Sequence, residues 1–286
     1  MKILITGING LVGNSLYKLL QKSNHDLYPS SRNIEDLAKY KVDITSKNEV
    51  DSFFESEKPD VVINSAAMAN VDLCEIERES CSKVNVEGVQ NLVDACARHG
   101  AHLTHISTDY IFDGKKDSGM YDEEDTPNPQ GYYAKSKVEG ERVVIESNIS
   151  YSILRTILVY GAHKKPNIVT FIKKALEEGS TVNLVSDQVR MPTFVDDLSK
   201  ACIIASEKKA NGVFHICGPE QMSYLDIGKR IGDYFSYDKS LINHVTTKDL
   251  NQKANRPFKT GFNLDRAKKV LHYNPIQFES SLGIIF

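Results

Sequence analysis

Short runs of apolar, β-branched residues alternate with helically periodic segments along most of the chain. "KILITG" at residues 2–7 reads as a buried strand, and "LVGNSLYKLLQKS" at 11–23 repeats its apolar positions at helical spacing. "HDLYPSS", "KVDI", "DVVINSAA", "HLTHIST" and "YSILRTILVY" follow as strands, mostly separated by helical stretches. Their apolar residues run on rather than alternating with polar ones, as in strands covered on both faces of a parallel sheet. This alternation of strand and helix predicts an α/β fold built on a doubly wound parallel Rossmann sheet.

The rhythm loosens after about residue 160. "HKKPN" and "SDQVRMPT" read as loops on either side of a short helix, "FIKKALEEG". "VDDLSKACIIASEK", "GVFHICG" and "YLDIGKRIGDYF" then resume the helix and strand pattern. Near the end, "NLDRAKKVLHY" is helical with Asn263 as its expected N-cap, and "ESSLGIIF" reads as a packed tail. The expected division is a nucleotide-binding Rossmann core at 1–160 and 194–236, with a smaller, discontinuous substrate-binding lobe at 161–193 and 237–286.

Composition narrows the class. A chain of 286 residues is long enough to bury a full core, and 41% hydrophobic with 26% charged residues is the balance of a soluble globular protein. A net charge of −3 provides no basic footprint, so nucleic acid is not an expected partner. No apolar run approaches a membrane span, and the N-terminus runs straight into a strand rather than a signal-peptide layout. Cys74, Cys81, Cys96, Cys202 and Cys217 are odd in number and unpaired in spacing, which suits reduced thiols and a cytoplasmic protein.

"LITGINGLVG" places Gly7, Gly10 and Gly13 between the first strand and the first helix. A tight turn needs positive backbone dihedrals, a pyrophosphate needs close backbone approach, and a helix N-terminus offers unpaired N–H groups. The spacing is one residue longer than the simplest dinucleotide fingerprint, and Asn9, Leu11 and Val12 complete the loop. An acidic residue ending the second strand would bind a ribose 2′-hydroxyl, but the chain has "YPSSRN" there. Ser30, Ser31 and Arg32 occupy the place of a 2′-phosphate, and the arginine favours NADP(H) over NAD(H); the alternative is a solvated loop arginine. Asp43, followed by Ile44, either meets the adenine edge or caps the next helix.

Tyr133 and Lys137 lie four residues apart in "QGYYAKSKVEGER", on one face of a predicted helix. The spacing alone fits an exposed amphipathic helix equally well. Other features change that reading. Ser107 and Thr108 end one strand at the edge where open α/β sheets bind ligands. Ser65, Ala66 and Ala67 end the preceding strand with side chains small enough to admit a flat ring. Asn85 lies in the helix between. His99, His102 and His105 recur at three-residue intervals, but His102 and His105 fall on opposite faces of a strand, so no metal site is expected.

Together TGxxGxxG, NSAA, STD, YxxxK and "LRTILVYG" make the sequence resemble the extended short-chain dehydrogenase/reductases from end to end. "AAMANVDLCE", "STDYIFDG", "YAKSKVEGE", "DQVRMPT" and "NRPFKTGFNLD" make it most similar to the dTDP-4-dehydrorhamnose reductase branch. The resemblance implies an NADPH-dependent reductase of a 4-keto-6-deoxy nucleotide sugar. Tyr133 would be the general acid, Lys137 would hold the nicotinamide ribose and lower the tyrosine pKa, and Thr108 would bond the carbonyl oxygen. Asp109, Asn167 and Arg256 would join Thr108 at the substrate, with Arg256 at its nucleotide part. The branch commonly has a tryptophan where this chain has Leu158, and a glycine where it has Arg190, which places a cation near the sugar lobe. A magnesium requirement is left open, and a homodimer is possible on the same resemblance.

Other readings stand beside this one, among them a reductase of another carbonyl substrate on the same scaffold. An epimerase or dehydratase could use the same scaffold, but 4,6-dehydratases carry Asp-Glu after the threonine and here Tyr110 follows Asp109. A non-catalytic NADP-binding regulatory subunit would need no chemistry, which leaves an intact Thr108, Tyr133 and Lys137 unexplained.

Overall fold

A computed structural model describes residues 1–250 and 252–286. At its centre is a seven-stranded sheet. In chain order it contains β1 (Lys2–Thr6), β2 (Asp26–Ser31), β3 (Tyr40–Lys41), β4 (Val61–Asn64), β5 (His102–Thr108) and the strands Tyr151–Thr156 and Gly212–Ile216. Their spatial order is Gly212–Ile216, Tyr151–Thr156, β5, β4, β1, β2, β3, and every pairing is parallel. The chain leaves β1 toward β2 and β3, then crosses back to lay β4 on the other side. That reversal opens a crevice at the carboxyl ends of β1 and β4, the topological switch point where such sheets bind ligands.

Both faces of the sheet are covered, as the continuous apolar runs predict. Ile3 and Ile5 pack with Leu16 and Leu20 of helix α1 (Leu11–Leu20) on one face. Leu4 between them packs with Val50, Phe54, Val89 and Leu92 on the other. Two predicted strands are shorter than their apolar runs. "KVDI" contributes only the end of β3, because the Asp43 carboxylate takes the Thr45 N–H at 2.9 Å and turns the chain. "YSILRTILVY" breaks at Leu158, whose φ of 40° is left-handed, and Val159–Tyr160 pairs with Thr193–Phe194 outside the sheet.

The second core gathers Tyr160, Val169, Ile172, Leu176, Leu184 and Phe278. Helix Tyr224–Phe235, expected with the sheet, packs here through Ile227 and Ile231. Conversely Phe262, Leu264, Ala267 and Leu271, expected in the lobe, join the sheet-side core with Phe214 and Cys202. An amphipathic period shows which side of a helix is buried but not what buries it. Asn263 lies one residue before the N-cap, Leu264, of helix Asp265–Leu271, yet its side chain still accepts the Asp265 N–H at 2.9 Å. "ESSLGIIF" forms helix Phe278–Ile285, with Phe278 and Leu282 buried. All five cysteines are free and buried. Among the described residues no helix is long and apolar enough to cross a membrane, and no cluster of His, Cys, Asp or Glu could hold a metal ion.

Candidate active site

Helix Tyr132–Ile145 brings Tyr133 and Lys137 to the carboxyl edge of the sheet, and three contacts from outside the helix hold it there. At its start Gly131 offers no side-chain cap, and Glu75 from another helix accepts the Tyr132 N–H at 2.5 Å. In its middle the backbone runs over Asn85, where a Cβ on Gly140 would come within 2.4 Å of the Asn85 carbonyl oxygen, so only glycine fits. Asn85 sits in a π-helical stretch, Lys83–Glu87; its amide bonds the Met68 backbone in both directions and donates to Ser136 Oγ at 3.0 Å. Farther along, Glu141 pairs with Arg155 of strand Tyr151–Thr156 at 2.7 Å, with both side chains under 5% exposed.

Tyr133 is buried, edge-on to the Tyr110 ring at 5.8 Å. Burial pushes its hydroxyl well above the ordinary tyrosine range, and a hydrogen bond with Thr108 pulls part of the way back. Thr108 Oγ1 donates to Asp109 at 3.2 Å and accepts the Tyr110 N–H at 3.2 Å, which fixes the hydroxyl at the strand end. Lys137 is equally buried. Its Nζ donates to the Ile106 carbonyl at 2.8 Å and lies 3.2 Å from His105 Nε2. Burial lowers the Lys137 pKa to about 8, against a partial lift from Glu141. The lysine therefore holds to the strand below it, and Tyr133 is raised rather than lowered because loss of solvent outweighs the opposing Thr108 bond.

This lysine has a consequence for stability. Its folded-state pKa lies below the ordinary 10.5, so between pH 8 and 10.5 the unfolded chain binds more protons and stability rises with pH. Relative to Lys137→Met, the wild type should gain up to about 3 kcal/mol across that window in denaturant unfolding. Parallel pH curves for the two proteins would refute it.

Across the crevice lies the glycine loop. Gly7 has φ 67°, and a Cβ there would press on Ala66 Cα at 2.8 Å; one on Gly13 would reach the Gly7 carbonyl oxygen at 2.5 Å. These positions let β1, β4 and α1 meet closely. Gly10 is the N-cap of α1 with no side-chain cap, so the first-turn N–H groups at Leu11, Val12 and Gly13 are free to meet an anion. The Asn9 amide ties the loop to Glu35 and Leu37, and Ser65 Oγ donates to the Thr6 carbonyl at 2.6 Å. A groove of about 480 Å³ beside the loop is lined by Asn9, Asn14, Lys18, Asp36 and His163, among others. Ala67 is exposed just beyond the end of β4, Ser31 is the last residue of β2, and Arg32 follows it. Arg32 is exposed and enters no ion pair with the described residues. Ile44 is buried against Gly88, and Asp43 closes its turn with Thr45. The residues present thus fit a dinucleotide: a close-approach cradle, free amides and an unpaired cation beyond the second strand.

The expected substrate residues divide. Arg256 is paired with Asp72 at 2.7 Å and lies near the Tyr110 and Tyr224 phenols. Asp109 lies beneath Thr108, buried, and Thr260 Oγ1 donates to it at 2.5 Å; burial raises its pKa. Asn167 has both polar atoms of its side chain occupied: it caps helix Ile168–Glu177 through the Thr170 N–H and donates to the Gly161 carbonyl at 2.7 Å. Arg190, expected as a cation near the sugar, is instead 1% exposed. Its guanidinium donates to the carbonyls of Val189, Pro257 and Phe258 and lies 3.6 Å from Asp109. It ties the segment carrying Arg256 to the strand end carrying Thr108.

Sequence reasoning missed Glu75, Glu141, Arg155 and the pairing of His105 with Lys137. Arg155 was open to detection, because a charged residue inside the apolar run "YSILRTILVY" needs a buried partner. Glu75 and His105 carry no such mark, since only the tertiary fold brings them to helix Tyr132–Ile145.

A tyrosine and lysine one turn apart, facing a glycine cradle across the switch point of a doubly wound sheet, form the arrangement of extended short-chain dehydrogenase/reductases, and the chain is an oxidoreductase of this class. It belongs to the family described as RmlD substrate binding domain, whose model matches residues 1–286. It is 34% identical over 292 residues to a dTDP-4-dehydrorhamnose reductase from Aggregatibacter actinomycetemcomitans, covering 98% of this chain and 97% of that protein. A solved dTDP-4-dehydrorhamnose reductase from Bacillus anthracis, in complex with NADP, superimposes with a TM-score of 0.91 at 29% identity, covering 100% of this chain and 99% of that one. The β subunit of methionine adenosyltransferase 2 from Bos taurus is 32% identical over 254 residues, covering 86% of this chain and 75% of the subunit.

Proposed function

We propose that the chain is an NADPH-dependent reductase of a 4-keto-6-deoxy nucleotide sugar, of the dTDP-4-dehydrorhamnose reductase type. The observation that carries this reading is the meeting of Thr108, Tyr133 and Lys137 at the carboxyl edge of the sheet, opposite the glycine loop. NADPH supplies the hydride that adds to the carbonyl carbon. Tyr133 delivers its phenolic proton to the carbonyl oxygen, and burial keeps that proton in place until it is needed. Thr108 turns its single hydroxyl proton from Asp109 toward the same oxygen and stabilises the developing charge. Lys137, one helical turn beyond Tyr133, binds the ribose. Leu11, Val12 and Gly13 meet the pyrophosphate with their N–H groups, and Arg256 meets the nucleotide diphosphate of the sugar.

Spectrophotometric NADPH oxidation with enzymatically generated dTDP-4-keto-rhamnose, beside other 4-keto nucleotide sugars, tests the reading. Rapid protein-dependent oxidation supports it; no oxidation with any of the sugars, with NADPH bound, refutes it. The relation to a methionine adenosyltransferase β subunit favours one other outcome, a nucleotide-binding subunit without turnover. Arg32→Ala is expected to weaken NADPH binding about 10-fold or more while leaving NADH nearly unchanged, because only NADPH carries the 2′-phosphate. Equal weakening of both, read by quenching of intrinsic fluorescence, would remove Arg32 from the 2′-phosphate site.

A further inference from the structure

We propose that Asn64 and His105 form a proton-state switch for Lys137: a neutral imidazole that changes tautomer whenever the lysine gains or loses its charge. The proposal rests on reading Lys137 as a member of the active site. Its geometry is a buried chain running from β1 through β4 and β5 to the catalytic helix. Thr6 Oγ1 donates to Asn64 Oδ1 at 2.6 Å, and the Ala66 N–H donates to the same oxygen at 3.2 Å. Asn64 Nδ2 lies 3.1 Å from His105 Nδ1, and His105 Nε2 lies 3.2 Å from Lys137 Nζ. Thr6, Asn64, His105 and Lys137 are each 2% exposed or less, so no bulk water absorbs a mismatch.

A neutral imidazole has one N–H and one lone pair, which leaves two consistent arrangements. In the first, Asn64 Nδ2 donates to Nδ1, the ring proton sits on Nε2, and Nε2–H points at Lys137. An ammonium has no lone pair to receive it, so Lys137 must be a neutral amine, which still donates to the Ile106 carbonyl. In the second, Lys137 is an ammonium that donates to Nε2, and the ring proton moves to Nδ1. Asn64 must then turn its amide to present Oδ1 to that proton, and the Ala66 N–H loses its acceptor. A charged lysine therefore requires the Nδ1–H ring, and once the charge is lost the ring returns to Nε2–H, because only that tautomer lets Asn64 turn back and restore the acceptor of the Ala66 N–H.

The other groups facing Lys137 leave this coupling intact. Glu141 is one turn along the helix and bound to Arg155, Tyr133 is one turn back, and the Cys81 thiol faces it from the neighbouring helix. None of them forms a hydrogen bond with Nζ, whose partners are His105 and Ile106. Burial holds His105 far below its ordinary pKa, so the ring stays neutral on both sides of the change. Burial brings the loss of the lysine charge close to neutral pH, and the tautomer change accompanies that loss.

Nitrogen-15 NMR of histidine-labelled protein, free of nucleotide, reads this directly, with the His105 signals assigned by their loss in His105→Gln. The ring is expected to carry its proton on Nδ1 at low pH and on Nε2 at high pH, remaining neutral throughout, with the crossover near pH 8 where Lys137 titrates. A single tautomer across the range, or an imidazolium signal, would overturn the proposal. Asn64→Asp provides a second arm, because a carboxylate accepts from Nδ1–H, Thr6 and Ala66 together and so favours the charged lysine. It should hold the Nδ1–H tautomer and raise the midpoint by about one pH unit or more; an unmoved midpoint counts against the switch. If the variant does not fold, the wild-type tautomers still decide. Because no substrate is involved, a silent reductase assay alongside a working switch would defeat the reductase reading alone.

Discussion

Tyr133→Phe is expected to keep NADPH affinity within about twofold and to lose about 10²- to 10⁴-fold in turnover, the usual range for removing a positioned general acid. The substitution deletes one oxygen from a ring packed edge-on to Tyr110 and covered by Cys74 and Cys81, so its apolar contacts remain. What disappears is the phenolic proton that shares a hydrogen bond with Thr108 and that burial holds in place through neutral pH. The adjacent Tyr132 cannot replace it: that ring lies on the other side of the helix start, beneath the Arg78 guanidinium at 5.3 Å. Steady-state rates together with nucleotide binding by fluorescence decide the matter. Turnover at the wild-type rate would show that the proton comes from elsewhere. Loss of NADPH binding in parallel would mean that the ring is structural.

Glu141→Gln is expected to destabilise the fold by about 3–5 kcal/mol, the cost of leaving a buried charge without its partner. Glu141 faces the Arg155 guanidinium through both carboxylate oxygens, at 3.0, 3.2 and 2.7 Å. Without it, Arg155 keeps the Glu123 carbonyl at 3.3 Å, a place over the Phe112 ring and a contact with His215, none of which neutralises the charge. Glu141 is two turns beyond Tyr133, so its loss also frees helix Tyr132–Ile145 from the sheet, and turnover should fall with stability. Replacing both partners, as Glu141→Leu with Arg155→Met, should recover most of the stability, since two matched apolar groups leave no charge behind. Urea unfolding of the single and double variants tests this; a single variant as stable as wild type would remove the pair as the helix anchor.

Much of the protein is legible along its chain. Continuous apolar runs specify buried parallel strands, because each residue in such a run meets a covered face whichever way it points. Gly7 and Gly13 mark the loop, because only glycine permits the left-handed turn or the close approach found there. Tyr133 and Lys137 share a face because four residues make about one helical turn. These are local constraints, and local spacing carries them.

Tertiary structure decided the rest. Arg190 reads from sequence as a cation near the sugar, but it is buried beneath Asp109, holding three carbonyls from two segments. Asn167 reads as a substrate contact, but it caps a helix. The lysine reads as the charge that lowers Tyr133, but the fold turns it toward Ile106 and His105, and burial sets the pKa values of both. In each case the fate of a polar group depends on which partners surround it after water is excluded; Asn167 is claimed by Gly161 and Thr170 close by in the chain, whereas the carbonyls that hold Lys137 and Arg190 include ones 31 and 68 residues away. Hydrophobic period and backbone preference act over a few residues and can be read in order; desolvation and hydrogen-bond satisfaction act across the folded molecule and exist only once it has closed.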